Sequence, residues 1–275
     1  MRKKSSKLFL GLFLLLVFLI CMVPMLWMLV SSLKTRRELL TNPWGLPKTL
    51  QWGNYVKAWE KADFPTLIRN SVVITGFSVL FMLILASMIA FAVTRYHLAS
   101  SKIVLTYILI GQTISLGMII FPVVMLLRKM HLASGHTGLI LTYIAGGLPF
   151  AVFVMQGFFA GIPHELYESA EIDGANEWIL FSKIALPLAK PSIAAVMLFQ
   201  FMWVWNEFVL AFTVIRDKAN RTIIVGLYSV VNGVLATDYV TAFAGTVIVC
   251  IPIIAIYLLF QKYLIQGLMT GAVKG

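Results

Sequence analysis

The sequence predicts an all-α, polytopic membrane protein with six transmembrane helices and a helix–turn–helix between the fourth and fifth. Two observations predict the class. Sixty per cent of the 275 residues are apolar and only 12% are charged, with a mean hydropathy of +0.91. Soluble domains carry about 45–50% apolar and about 25% charged residues. The apolar residues also fall in long runs that no soluble core would bury. A third observation marks the insertion: Glu165, Glu168, Glu171, Asp173 and Glu177, five of the eleven acidic residues, lie within 160–191.

The elements follow in order. Met1–Lys7 is basic and is followed by the apolar stretch Leu8–Val30, which imitates a secretory leader. The apolar stretch is longer than the usual leader core of about 7–15 residues and no small-residue cleavage site follows, so it is expected to be a retained anchor. A spanning helix needs about 20 predominantly apolar residues. Six segments meet that length: Leu8–Leu33, Ser71–Val93, Ile103–Leu127, Gly138–Phe159, Ser192–Ile215 and Thr241–Gln261. Pro24, Pro122, Pro149 and Pro252 lie in or near these runs, so kinked helices whose freed carbonyls are satisfied by neighbours are expected. The six spans suit a single transmembrane domain over residues 1–275. Between the first two, residues 34–70 hold Trp44, Trp52, Tyr55 and Trp59 and read as an interfacial loop with aromatic anchors.

The net charge of +11 does not indicate nucleic acid, because the Lys and Arg residues cluster at the ends of apolar segments, as in membrane proteins. An even number of spans puts both termini on one side. With the N-terminus inside, ten basic residues lie inside and twelve outside. The dense basic tail at residues 2–7 favours the N-terminus inside, since the first helix usually dominates orientation.

Catalytic signatures are missing. His164-Glu165-Leu166-Tyr167-Glu168 is half of a zinc-protease helix and lacks the second histidine on the same face. The four histidines, His97, His131, His136 and His164, are scattered over three loops. Cys21 and Cys250 lie inside apolar runs, so neither a disulfide nor a metal site is indicated. No serine-nucleophile elbow and no phosphate-binding loop occurs. Any nucleotide-driven step must therefore belong to another chain.

The acidic stretch reads as two short helices. Pro163 suits the first position of a helix, and Glu165 and Glu168 follow in its early turns, where the helix dipole favours them. Gly174 suits a C-terminal turn of positive φ. Asn176 can cap a second helix, Glu177–Leu186, which Pro187 is expected to stop. Trp178, Phe181, Ile184 and Ala185 fall at helical spacing and are expected to face the bundle, leaving the first helix either to face a partner or to form, with the second, a capped and solvated surface hairpin with no partner.

Glu168-Ser-Ala170, Asp173-Gly174-Ala175 and, after nine residues from Ala175 to Lys183, Ile184-Ala-Leu186-Pro187 resemble the EAA loop. That loop marks the inner-membrane subunits of binding-protein-dependent ABC importers. Ser169 replaces the usual first alanine. Asn70-Ser71, Leu148-Pro149-Phe150, Gly161-Ile-Pro163, Trp205-Asn206-Glu207-Phe208 and the tail Gly267–Gly275 are similar to the carbohydrate branch, most of all to the shorter, maltose-permease-type subunit of a heterodimeric pair. The resemblance implies a cytoplasmic coupling loop in which Glu168, Ala170, Asp173, Gly174, Ala175, Ile184 and Pro187 engage an ATPase subunit. Glu168 would be the acidic contact, and Gly174 the bend where a side chain would block the turn. It implies a second non-identical permease subunit, two cytoplasmic ATPase subunits and an extracytoplasmic solute-binding protein as partners. ATP and Mg would be bound by the partner ATPase and no cofactor by this chain. It further implies a bacterial inner membrane location with cytoplasmic termini, and a 216–240 segment that reaches outside toward the binding protein.

The substrate path is sought in the later spans. Glu207 is an acid in a membrane segment, a functional candidate by default. Gln200 lies two turns earlier with Trp203 between them, and polar groups beside an aromatic platform suit a sugar. Gln200, Trp203, Asn206, Glu207 and Gln156 are the path candidates. The competing reading makes Glu207 a strut inside the bundle or the early end of span five. Gln112, Thr113 and Ser115 are weaker candidates. The expected function is thus the transmembrane subunit of an ATP-driven importer of a sugar or oligosaccharide. A secondary, ion-coupled transporter is the alternative, opposed by the lack of repeated halves, and a membrane enzyme is opposed by the missing catalytic groups.

Overall fold

A computed structural model describes residues 2–96, 99–233 and 238–272. His97 and the last three residues of the tail Gly267–Gly275 lie outside the described residues. The chain divides into two compact units, Met1–Pro65 with Gly226–Ile251, and Thr66–Val225 with Pro252–Gly275.

The first unit contains α1 (Arg2–Ser32), α2 (Arg36–Thr41) and α3 (Gly53–Ala62). The expected interfacial loop is therefore largely folded. Thr35 and Glu38 form a reciprocal capping box at the start of α2, satisfying two amides that the helix itself leaves open. Lys34 is buried, its ammonium donating to the carbonyls of Asn42 (3.1 Å) and Pro43 (2.7 Å). Buried Asn54 donates to the carbonyls of Ser32 and Lys34. Trp44 and Trp52 are exposed, as interfacial anchors are. Trp27 packs against Trp44 and Phe243.

The second unit holds most of α4 (Phe64–Arg95), then α5 (Ala99–Thr113), α6 (Leu116–Lys129), α7 (His136–Phe159) and α8 (His164–Ile172). A continuous helical run comes next: α9 (Glu177–Ile179), a π-helical turn at Leu180–Ala185, and α10 (Leu186–Leu188). It is followed by α11 (Lys190–Asn206), α12 (Val209–Val214) and a 3₁₀ turn at Lys218–Asn220; α13 (Ile223–Val231) and α14 (Tyr239–Ala272) are divided between the units, their Gly226–Ile251 part belonging to the first. α4, α7 and the hairpin made by α8 and the run Glu177–Leu188 share one apolar core, built around Met82, Ala86, Phe91, Val152, Met155 and Phe181.

Among the described residues four helices are long and apolar enough to cross a membrane, and up to six if each of two bent pairs is one span. The expected third span, Ile103–Leu127, is broken, its halves meeting at 102°. The break falls at Thr113–Ser115, where the Thr113 hydroxyl donates to the Ile110 carbonyl (2.8 Å) and Ser115 is extended. Side chains that bond their own backbone compete with the helix in this way. The expected fifth span, Ser192–Ile215, is interrupted too: α11 ends at Asn206 and Glu207 is extended. The second span is longer than expected, starting at Phe64.

Candidate functional site

The hairpin is built from its caps. Pro163 is the residue before α8 rather than its first helical residue, because its ψ of 135° is extended. α8 ends in a Schellman motif: the Ala175 amide donates to the Ala170 carbonyl (2.9 Å) and the Gly174 amide to the Glu171 carbonyl (3.0 Å). That geometry needs a left-handed residue at the turn, and Gly174 has φ +82°. A Cβ there would meet nothing within 4 Å. The glycine is thus required by backbone conformation, and the expectation that a side chain would block the turn is corrected. Asn176 caps the second helix as expected, its Oδ1 accepting from the Ile179 amide (2.9 Å).

The second helix does not stop at Pro187. The run continues through it to Leu188 and then bends by 73° into α11. The wide π turn just before Pro187 accommodates a residue that lacks an amide donor. Leu180, Phe181 and Ala185 are buried and Ala170, Ala175 and Ile184 pack against the same core. Trp178 does not face the bundle: it is 65% exposed. Ile172 is 87% exposed and Leu166, Glu168 and Asp173 are exposed too.

Two of the hairpin's acids turn the other way. Arg95, the last residue of α4, pairs with the Glu171 carboxylate, and its Nε lies 4.0 Å from Glu177 Oε1. Its guanidinium also lies 5.5 Å from the centre of the Tyr167 ring, within cation–π range. Burial pushes the Tyr167 phenol above its ordinary pKa, with Arg95 opposing the shift. Burial and the Glu177 carboxylate raise Tyr96. The sequence reading counted Arg95 only as a basic residue at a span end. Its spacing from the hairpin, 76 residues from Glu171, left no local signal.

The second unit also contains a cavity of about 640 Å³, walled by α5, α6, α7 and α11. Of the path candidates, Gln200 and Trp203 line it. Buried Gln200 donates to the Gly147 carbonyl (3.0 Å). A Cβ at Gly147 would overlap the ends of the Met82 and Gln200 side chains, so a larger residue there must displace both. Trp203 stands edge-to-face with Tyr143 at 5.8 Å, and Phe150 packs likewise on Phe199. Gln156, Asn206 and Glu207 do not line the cavity, nor do Gln112, Thr113 and Ser115. Glu207 accepts hydrogen bonds from the Tyr143 hydroxyl (2.7 Å) and from the amides of Leu210 (2.8 Å) and Ala211 (3.0 Å). It caps α12 and braces the broken span, the arrangement that its strut reading anticipates. Tyr143 was missed because an aromatic inside an apolar run carries no polar signal in sequence.

Residues 82–270 match the family described as "Binding-protein-dependent transport system inner membrane component". The chain is 33% identical over 256 residues to the diacetylchitobiose uptake system permease protein NgcG of Streptomyces coelicolor, covering 93% of this chain and 85% of that protein. It is 32% identical over 270 residues to the arabinooligosaccharides transport system permease protein AraQ of Bacillus subtilis, covering 97% and 95%. In fold it is similar to a chain in the crystal structure of a bacterial ABC transporter that imports the acidic polysaccharide alginate. The TM-score is 0.81 at 23% identity, over 96% of this chain and 98% of that one. The chain is a multi-pass membrane protein and belongs to the family of inner membrane components of binding-protein-dependent transport systems.

Proposed function

We propose that this chain is the transmembrane subunit of an ATP-driven importer and forms, with a second non-identical permease subunit, the path for a sugar or oligosaccharide. The observation that carries the coupling reading is the hairpin itself. Two capped helices rest on a buried core and turn Glu168, Ile172 and Trp178 outward. A rigid, well-seated element with an exposed mixed apolar and acidic face suits a docking role, because a floppy connector would transmit little displacement. The hairpin docks on a cytoplasmic ATPase subunit, which binds ATP and Mg; this chain contributes neither nucleotide site nor cofactor. The relatives named for diacetylchitobiose and arabinooligosaccharides support a carbohydrate cargo delivered by an extracytoplasmic binding protein. With the hairpin cytoplasmic, both termini are cytoplasmic and the membrane is the bacterial inner membrane. No observation favours the ion-coupled alternative.

The test is uptake by the complete complex, with two ATPases, the second permease and the binding protein, in liposomes offered diacetylchitobiose, arabinooligosaccharides and galactooligosaccharides. Glu168→Lys is expected to abolish uptake while the chain still inserts. Ion-driven uptake by this chain alone would overturn the reading.

A further inference from the structure

α4 is held at both ends by contacts to segments far away in sequence. At its C-terminal end Arg95 reaches Glu171, Glu177 and Tyr167. These come from both helices of the hairpin, so one guanidinium straddles the Gly174 turn. One turn earlier, buried Phe91 packs on Phe159, Tyr167 and Phe181, with ring centres 6.1, 6.1 and 5.3 Å away. At the other end the buried Asn70 amide donates to the carbonyls of Ala219 (2.7 Å) and Arg221 (3.1 Å). The neighbouring buried Ser71 hydroxyl accepts from the Ile223 amide (2.7 Å). Ile74, one turn on, shares an apolar core with Val214, Ile215 and Val225.

The two sets of contacts are separated by the length of a membrane. Asn70 to Arg95 is about 38 Å at about 1.5 Å per residue, more than the hydrocarbon thickness of about 30 Å. The helix between them is also the straightest in composition. Of the four described helices long enough to span, α1, α7 and α14 contain Pro24, Pro149 and Pro252, whereas the proline of α4 is Pro65, its second residue. Interior prolines open the hydrogen-bond ladder and kink a helix; the α4 ladder between Asn70 and Arg95 has none.

We propose that α4 is a strut that carries displacement between the 216–223 segment and the coupling hairpin, with Asn70 as its outer pin and Arg95 as its inner pin. The proposal rests on the reading above, which puts the 216–223 segment on the side of the binding protein and the hairpin on the side of the ATPases. Both pins are positioning residues and touch no cargo. A binding protein pressing on the outer segment moves α4 as a body, and Arg95 and Phe91 move both hairpin helices with it. Coupling of this kind needs packed elements that shift together, which the two pinned ends supply.

The experiment uses the complete complex in nanodiscs and reads ATP hydrolysis with and without binding protein loaded from the same oligosaccharide mixture. The quantity read is the stimulated-to-basal ratio. Asn70→Ala and Arg95→Ala are each expected to lower that ratio at least about fivefold, the scale of an ordinary coupling energy, while the ATPase subunits still co-purify. Arg95→Glu is expected to do the same, and Arg95→Glu combined with Glu171→Arg to recover at least half of the lost ratio. A ratio unchanged in the two alanine variants overturns the proposal. So does a charge-swapped pair no better than Arg95→Glu alone, which also decides the case in which a single variant fails to assemble. Loss of ATPase co-purification in Glu168→Lys tests docking separately, so failure of the strut and failure of the docking reading give different results.

Discussion

The hairpin and the cavity dispose of their polar groups in opposite ways. In the hairpin the acids divide by partner: Glu171 and Glu177 turn to Arg95, while Glu168 and Asp173 are exposed, as are Trp178 and Ile172. In the cavity wall the polar groups are satisfied by the chain itself. Gln200 is held by Gly147, and nearby Glu207 is occupied by Tyr143 and two backbone amides. Outward groups on a rigid base suit a lasting protein partner. A wall whose polar groups are already satisfied and whose surface is largely apolar suits a cargo that must also leave.

The comparison can be broken from either side. The largest effect is expected from Gly174→Val. A β-branched residue at φ +82° costs about 1–3 kcal/mol and opens the Schellman turn that sets the two helices, so uptake should vanish with membrane insertion intact. Wild-type uptake would remove the hairpin from the mechanism. Next is Glu207→Ala, which leaves the Tyr143 hydroxyl and two amides without their acceptor. A loss of about 1–3 kcal/mol is expected, visible as a lower melting temperature of the complex, with Glu207→Gln losing less because it keeps an acceptor. Equal damage from both would mean that charge, and so a direct role in the path, is what matters. The smallest effect is expected from Trp203→Ala. An aromatic contact contributes about 0.5–1.5 kcal/mol, so the KM for oligosaccharide uptake should rise about two- to tenfold with assembly preserved. An unchanged KM would detach the cavity from the cargo.

Much of the architecture was legible because membrane spans are long and compositionally blunt. The hairpin was legible too, since its caps are local: Asn176 and Gly174 are set by residues within one turn of them. The break at Thr113–Ser115 escaped because those residues were weighed as cavity candidates rather than as competitors for the backbone. The break at Glu207 was only an alternative, since an acid in a span signals function and capping alike. Trp178 was misplaced because helical spacing names a face without saying which neighbour covers it. Arg95 and Tyr143 were out of reach altogether: their partners lie 76 and 64 residues away, and only the tertiary fold brings them together.

The most direct measurement of the central claim is a cross-link from the outward face of the hairpin. Glu168→Cys, in a chain whose own Cys21 and Cys250 are replaced by Ser, is assembled with single-cysteine ATPase subunits and treated with a short bifunctional thiol reagent. Docking predicts a covalent adduct between this chain and the ATPase, formed from Glu168→Cys and not from an Ile251→Cys control on the exposed face of α14. An assembled, transport-active complex that gives no adduct from position 168 at any ATPase cysteine would contradict it.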